Sequence, residues 1–255
     1  MELLFHENIP LVAIAEQLEG CACGMWCCCS TTSPECPCRL RSTNPYNVQG
    51  LLTNFSASLF ECNSDCACGI NCSNRLVQTH LGRLTSVPEG QKQNRVYRIA
   101  EIPNVGKGLV ADRDILCGEM VCAYLGEVVP PEVGVLRERA QLNRLGRTYV
   151  LTMREYAHDQ LVAVTCIDGD VDLPNMGRPD ARLVNHSCDA NMTVIPLRVD
   201  SGIPYAVLFA SRFIPRDTEL TFNYADGIAD VNRLNSGTQC QCNATSCLGY
   251  LPRVT

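Results

Sequence analysis

The sequence predicts a mainly β protein of 255 residues flanked by cysteine-rich metal modules. Three observations predict it. Seven short β-branched runs (96–102, 108–111, 119–129, 148–153, 161–167, 192–199 and 205–212) are each bounded by Gly, Pro or Asp, the pattern of strands joined by turns. Nine cysteines crowd the first third of the chain in two blocks, Cys21-x-Cys23-x3-Cys27 with Cys36-x-Cys38, then Cys62-x3-Cys66-x-Cys68-x3-Cys72. A third group, Cys240-x-Cys242-x4-Cys247, closes the chain.

Thiols one and three residues apart pair poorly with each other, because disulfide geometry is demanding. They converge readily on zinc, which takes four thiolates at about 2.3 Å. Three zinc ions need twelve ligand positions, and nine thiolates fill twelve when three of them bridge two metals each. The nine cysteines therefore fit a three-metal cluster better than separate four-cysteine sites. Cys28 and Cys29 stand beside Cys27, so any of the three can be the ligand; Cys27 keeps the x3 spacing. The C-terminal group has three thiols, one short of a site, so its fourth ligand lies elsewhere.

Between these modules the one helical pattern is 131–144, with Pro131 at its start and Val133, Leu136 and Ala140 along one side, read as a surface helix covering a sheet. Residues 82–94 read as a hydrophilic linker. Cys117, Cys122 and Cys166 fall in strand-like runs and read as ordinary buried thiols. Eighteen cysteines, about 7%, stay below the level of a secreted disulfide scaffold. The N-terminus has Glu2 and Glu7 and no basic n-region, unlike a signal peptide. No run reaches the roughly 20 apolar residues of a membrane span. A reducing compartment, cytosol or nucleus, is the expectation. The formal charge of -6 becomes more acidic once thiolates bind metal, which suits a basic partner better than DNA phosphates.

The missing fourth ligand leads to Arg182-Leu-Val-Asn185-His186-Ser-Cys188. With Glu219-Leu-Thr-Phe222-Asn-Tyr224, this stretch resembles the SET-domain protein lysine methyltransferases. Gly106-Lys-Gly108-Leu109 resembles that family's glycine-rich cofactor segment, and Tyr124-Leu-Gly126-Glu127 its Y-x-G-E strand. The nine-cysteine region, with Glu61-Cys62 and Asn74-Arg75-Leu76-Val77-Gln78, resembles the pre-SET module, and the last three cysteines resemble the post-SET module. This order resembles the suppressor-of-variegation class of histone methyltransferases and covers about 9–252. The resemblance implies small β-sheets with a knot-like crossing, divided into an N-terminal flank (1–20), a pre-SET three-zinc cluster (21–78), a linker (79–95), a SET catalytic domain (96–226) and a post-SET zinc module (227–255).

It further implies methyl transfer from S-adenosyl-L-methionine to a lysine of histone H3, at the ninth position of the tail, in the nucleus on chromatin. Tyr224 takes the place of the catalytic tyrosine and Tyr124 that of a second tyrosine lining the lysine channel. Phe222 takes the position that sets how many methyls fit, and Phe there implies di- or trimethylation. The cofactor contacts implied are Lys107, Gly108, Tyr149, Arg182, Asn185, His186, Tyr224 and Tyr250, with Asn185 and His186 offering backbone and side-chain hydrogen bonds. The implied zinc ligands are Cys21, Cys23, Cys27, Cys36, Cys38, Cys62, Cys66, Cys68 and Cys72 for three ions, and Cys188, Cys240, Cys242 and Cys247 for a fourth.

The chain departs from the family pattern at Asn223, where an Asp is usual, at Arg178-Pro179 and at Leu183. Two other readings stand beside the main one. One is a methyltransferase for the thirty-sixth position of H3, whose cysteine module is shorter than this five-cysteine first block. The other is a catalytically silent histone-binding scaffold, which Tyr224, Asn185 and His186 argue against.

Overall fold

Strands dominate the structure, a computed structural model that describes residues 4–9, 18–23, 36–42, 45–56, 58–85, 95–174, 176–225 and 235–252. Three sheets form. The largest orders β3 (Tyr97–Ile102), β4 (Gly106–Ala111), β12 (Glu219–Phe222), β10 (Met192–Arg198), β11 (Tyr205–Ala210) and β5 (Met120–Tyr124), with β2 (Leu59–Phe60) on β10 and β9 (Asn185–His186) on β12. A second sheet orders β1 (Leu4–Phe5), β6 (Glu127–Val129), β8 (Gln160–Asp168) and β7 (Val150–Ala157). A hairpin of β13 (Asn235–Gln239) and β14 (Tyr250–Pro252) ends the chain.

β12 enters last yet lies inside its sheet. β4 pairs with it antiparallel, while β9 and β10 pair with it in parallel, Phe222 facing His186 and Met192. That placement sets the residues after Phe222 among strands formed far earlier in the chain. Asn191, buried, fixes the insertion. Its Nδ2 donates to the Glu219 carbonyl at 2.8 Å, and its Oδ1 accepts from Thr221 N–H at 2.9 Å.

The sheet is buried on both faces because β11 alternates in two directions. Ala206, Leu208 and Ala210 join the apolar cluster that holds Tyr124, Ile167, Leu220 and Phe222. Val207 and Phe209 join the cluster on the other side, with Leu59, Val77 and Leu81. The cysteine module therefore docks on one face of the sheet, and the candidate site lies on the other.

Several sequence expectations change here. The run 119–129 is two strands, split where a Cβ on Gly126 would meet the Asp168 carbonyl oxygen at 2.1 Å. The run 148–153 extends to Ala157. Among the described residues three α-helices form: α1 (Pro37–Arg41), α2 (Leu76–Thr85) and α3 (Pro131–Leu145). α2 runs into the segment read as a linker, whose residues 86–94 lie outside the described set. A distant carboxylate supports it: buried Glu61 accepts from Val77 N–H at 2.7 Å and Gln78 N–H at 3.1 Å, satisfying donors that a helix start leaves open.

α3 begins at Pro131 as expected, and ends at Gly146, whose φ of 68° lets it cap the helix. Its buried side is not Val133, Leu136 and Ala140, however. Gly134, Glu138 and Gln141 face inward, and Leu136 is 64% exposed. A polar network selects this face. Arg137 pairs with Glu127 at 2.6 Å and Asp168 at 2.8 Å, and Gln141 donates to Asp168 at 2.9 Å. Gly134 allows the approach, since a Cβ there would stand 3.0 Å from Cys166. Cys122 and Cys166 are buried as expected; Cys117 lies instead in the turn before β5 and is exposed, with its thiol on the Ser211 carbonyl at 3.4 Å. No described helix is long and apolar enough to cross a membrane.

Candidate active site and metal centres

The ends of β5, β8, β9 and β12 bring three aromatic residues together. Tyr124 closes β5, and its hydroxyl donates to the Tyr149 carbonyl at 2.8 Å. Phe222 closes β12, and its ring lies 4.7 Å from that of Tyr224. The Tyr224 hydroxyl donates to the Val184 carbonyl at 2.8 Å. Both hydroxyl protons are thus committed to backbone, leaving the oxygen lone pairs to accept. Burial pushes both phenols above their ordinary range, so neither becomes a phenolate base near neutral pH.

The network under α3 holds this group in place. Gln141 accepts from Tyr149 N–H at 2.7 Å, and Gly169 N–H donates to the Tyr149 carbonyl at 2.8 Å. The Arg182 guanidinium lies over the Tyr149 ring at 5.0 Å. Glu127, of the Tyr124-x-Gly126-Glu127 stretch, acts here through Arg137, not on the site directly.

The glycine segment forms the neighbouring wall. A Cβ on Gly108 would meet Ile102 Cγ1 at 2.6 Å and Asn185 Nδ2 at 2.7 Å, so only glycine lets this buried backbone pack against Asn185. Asn185 Nδ2 contacts the Lys107 carbonyl at 3.4 Å and Glu219 at 2.9 Å. Arg182 keeps a buried Nε–H with no partner among the described residues. Glycine backbone, an amide, a spare guanidinium donor and an aromatic ring suit a nucleoside carrying an amino-acid tail. The structure thus gathers Lys107, Gly108, Tyr149, Arg182, Asn185 and Tyr224.

Two implied cofactor residues sit differently. His186 has no side-chain nitrogen left for a ligand. Its Nδ1 accepts from Tyr224 N–H at 3.1 Å and its Nε2 lies 3.3 Å from Cys188 Sγ, so it holds the Tyr224 backbone instead. Burial lowers its pKa to about 4, keeping the ring neutral. Tyr250 lies on β14 and is half exposed. The departures have local compensation. Asn223 Oδ1 accepts from Ala225 N–H at 3.0 Å, a bond an aspartate would also make. Arg178 pairs with Asp170 at 3.1 Å, and Leu183 packs against the core.

The cysteines form four groups whose sulfurs lie within 4.8 Å of one another: Cys21, Cys38, Cys62 and Cys66; Cys21, Cys23 and Cys36; Cys62, Cys68 and Cys72; and Cys188, Cys240, Cys242 and Cys247. A zinc tetrahedron with bonds of about 2.3 Å has sulfur–sulfur edges of about 3.8 Å. Cys21–Cys62 at 4.0 Å, Cys38–Cys66 at 3.6 Å and Cys62–Cys72 at 3.8 Å match it. Cys21 and Cys62 each belong to two groups, as bridging thiols must. One further thiol shared by the two three-member groups would complete three tetrahedra. The sequence reserves Cys27, Cys28 or Cys29 for that place, and all three lie outside the described residues.

One finding runs against the expectation that these thiols stay unpaired. Cys23 is disulfide-bonded, while the other seven described thiols of the module form no disulfide. Cys23 must be reduced to serve as a ligand. Burial pushes the Cys21 thiol up, and the neighbouring Cys62 thiol and burial do the same to Cys38. A cation is what converts such a buried thiol cluster to thiolates. At the C-terminal site burial raises Cys240. Cys242 resists burial and falls to about 6, because the Cys188 and Ala244 N–H groups favour its thiolate.

The sheet order and the aromatic cluster beside a glycine segment are those of a SET-domain protein, and residues 106–225 match the SET domain family. A bovine (Bos taurus) histone-lysine N-methyltransferase SETMAR is 32% identical over 249 residues, covering 91% of this chain and 74% of that protein. The Neurospora crassa histone-lysine N-methyltransferase dim-5, named as H3 lysine-9 specific, is 27% identical, covering 97% and 81%. The crystal structure of the methyltransferase domain of human SETMAR superposes with a TM-score of 0.73 at 26% identity, covering 99% of this chain and 90% of that one. The chain belongs to the SET-domain histone-lysine N-methyltransferases.

Arg147 and Glu219 also border the site, and the sequence reading assigned a role to neither. An exposed arginine in a turn between a helix and a strand carries no pattern that separates it from any surface charge.

Proposed function

We propose that this protein transfers methyl groups from S-adenosylmethionine to the lysine at the ninth position of the histone H3 tail, making di- and trimethyl-lysine. The observation that carries the reading is the channel of Tyr124, Phe222 and Tyr224 beside the glycine segment, with both phenol protons bound to backbone carbonyls. The name of the Neurospora relative supports the ninth position. An acidic chain suits a basic tail, and histone substrates place the activity on chromatin.

A free lysine amine has a pKa near 10.4, so fewer than about one in a thousand are neutral at pH 7. The cation has no lone pair to attack with. Enclosure by Tyr124, Phe222 and Tyr224 removes water from the amine and lowers its pKa. The two phenol oxygens, unable to donate, accept hydrogen bonds from the amine and aim its lone pair. When bound, S-adenosylmethionine supplies an electrophilic methyl on a sulfonium. Gly108, Asn185, Tyr149 and Arg182 would hold it beside the channel. Alignment of two held reactants then supplies much of the rate. Phe222 places no hydroxyl in the channel, leaving room for a methylated amine to turn. Zinc held by Cys188, Cys240, Cys242 and Cys247 would pin the C-terminal segment to the end of β9, next to Tyr224.

The test is a panel of histone peptides, incubated with the zinc-loaded protein and cofactor and read by mass spectrometry. Successive methyl increments on the lysine-9 peptide are expected. Transfer to another lysine, or none, would refute the assignment.

A further inference from the structure

Nine described arginines hold an ion pair with a carboxylate. Arg147 is not among them. Its guanidinium lies over the glycine segment, with nitrogens 3.5 and 3.7 Å from where a Cβ on Gly106 would stand. Glu219 stands at the other end of the same segment, its Oε1 3.2 Å from the corresponding point on Gly108. Asn185 Nδ2 donates to that oxygen at 2.9 Å, and Glu219 has no ion pair among the described residues. A cation and an anion without counter-ions among the described residues thus bracket three residues, Gly106-Lys107-Gly108. Burial holds the proton on the Tyr224 hydroxyl; Glu219 adds to that effect and Arg147 opposes it.

A carboxylate and an ammonium on one carbon complement such a bracket. A planar guanidinium reads a carboxylate through two parallel hydrogen bonds, and an ammonium is satisfied by a carboxylate. We infer that Arg147 binds the α-carboxylate, and Glu219 the α-ammonium, of the cofactor's amino-acid end. The inference rests on the S-adenosylmethionine reading above and extends it to two residues. Together they fix the orientation of the zwitterion along the segment, which sets where the sulfonium carbon points relative to Tyr224. Lys107 shares the exposed side of the segment, but its compact ammonium cannot make the two-pronged contact.

Calorimetry on the zinc-loaded protein tests this with two ligands. S-Adenosylhomocysteine carries the amino-acid end; 5′-methylthioadenosine has the same nucleoside and lacks it. Arg147→Gln should weaken S-adenosylhomocysteine by about tenfold or more, as expected for a charged hydrogen-bonded contact open to solvent. Its affinity for 5′-methylthioadenosine and its melting temperature should match wild type. Glu219→Gln should likewise weaken only the first ligand. Unchanged S-adenosylhomocysteine affinity in Arg147→Gln, or equal loss for both ligands, would overturn the inference. A wild-type protein that binds neither ligand would instead overturn the cofactor reading beneath it.

Discussion

Replacing Cys62 with serine tests the shared-thiol arrangement. Cys62 belongs to two of the four thiol groups, whereas Cys68 belongs to one. Its sulfur lies 4.0 Å from Cys21 and 3.8 Å from Cys72, on edges of two different tetrahedra. A structural zinc ion binds with an apparent roughly 10–16 kcal/mol, as large as the roughly 5–15 kcal/mol that holds a typical domain folded. Cys68→Ser should lower zinc content by one ion per chain, and Cys62→Ser by two. Because Glu61 caps α2 from the residue before Cys62, the second loss should also loosen α2 from the sheet. Elemental analysis of purified, reduced protein gives the stoichiometry, and thermal denaturation gives the stability. Equal zinc loss from Cys62→Ser and Cys68→Ser would refute the bridging assignment. Full zinc content in either variant would refute the cluster itself.

Other consequences follow from the same geometry. Phe222→Tyr adds a hydroxyl to a buried channel wall, and discrimination over such a small group is typically about 1–3 kcal/mol; a mass-spectrometric time course should show monomethyl-lysine accumulating, where wild type proceeds further. Arg198 binds Glu155 through two hydrogen bonds of 2.7 and 2.8 Å, with Ser58 adding a third at 2.8 Å, so Arg198→Met leaves a mostly buried carboxylate uncompensated, at a cost of about 3–5 kcal/mol. Burial opposes ionisation of Glu155, but these bonds outweigh it and hold the pKa below the ordinary value. The pair's contribution is therefore present above the unfolded value of about 4.3 and lost as pH falls through the lower folded one. The gap in melting temperature between wild type and Arg198→Met should be wide at neutral pH and close on acidification. A gap independent of pH would point to lost packing of Arg198 against Phe60 instead.

Much of this architecture was legible because the signals were local. β-branched runs between turn residues gave the strands, and thiol spacing gave the metal groups. The site residues sat in short contiguous motifs at strand ends. What the sequence hid depends on contacts far apart in the chain. α2 has a weak pattern of its own and takes its cap from Glu61, fifteen residues before Leu76. The inward face of α3 was misread because its contacts are polar: Gln141 and Arg137 look like solvent-facing residues until Asp168 and Glu127 are placed beneath them. The break at Gly126 comes from a backbone approach by Asp168, which no pattern in 119–129 records. His186 was legible as part of the site, but its hold on the Tyr224 backbone became visible only with β9 beside β12.

Tyr224→Phe tests the central claim most directly. The claim is that the channel works by aiming an amine, with Tyr224 acting on the transition state more than on ground-state binding. The substitution removes one oxygen and the bond to the Val184 carbonyl, and leaves the glycine segment untouched. Cofactor affinity by calorimetry and single-turnover methylation of the lysine-9 peptide should be measured on the same preparation. The account predicts near-wild-type affinity with most of the methyl-transfer rate lost. Wild-type transfer from Tyr224→Phe would contradict it.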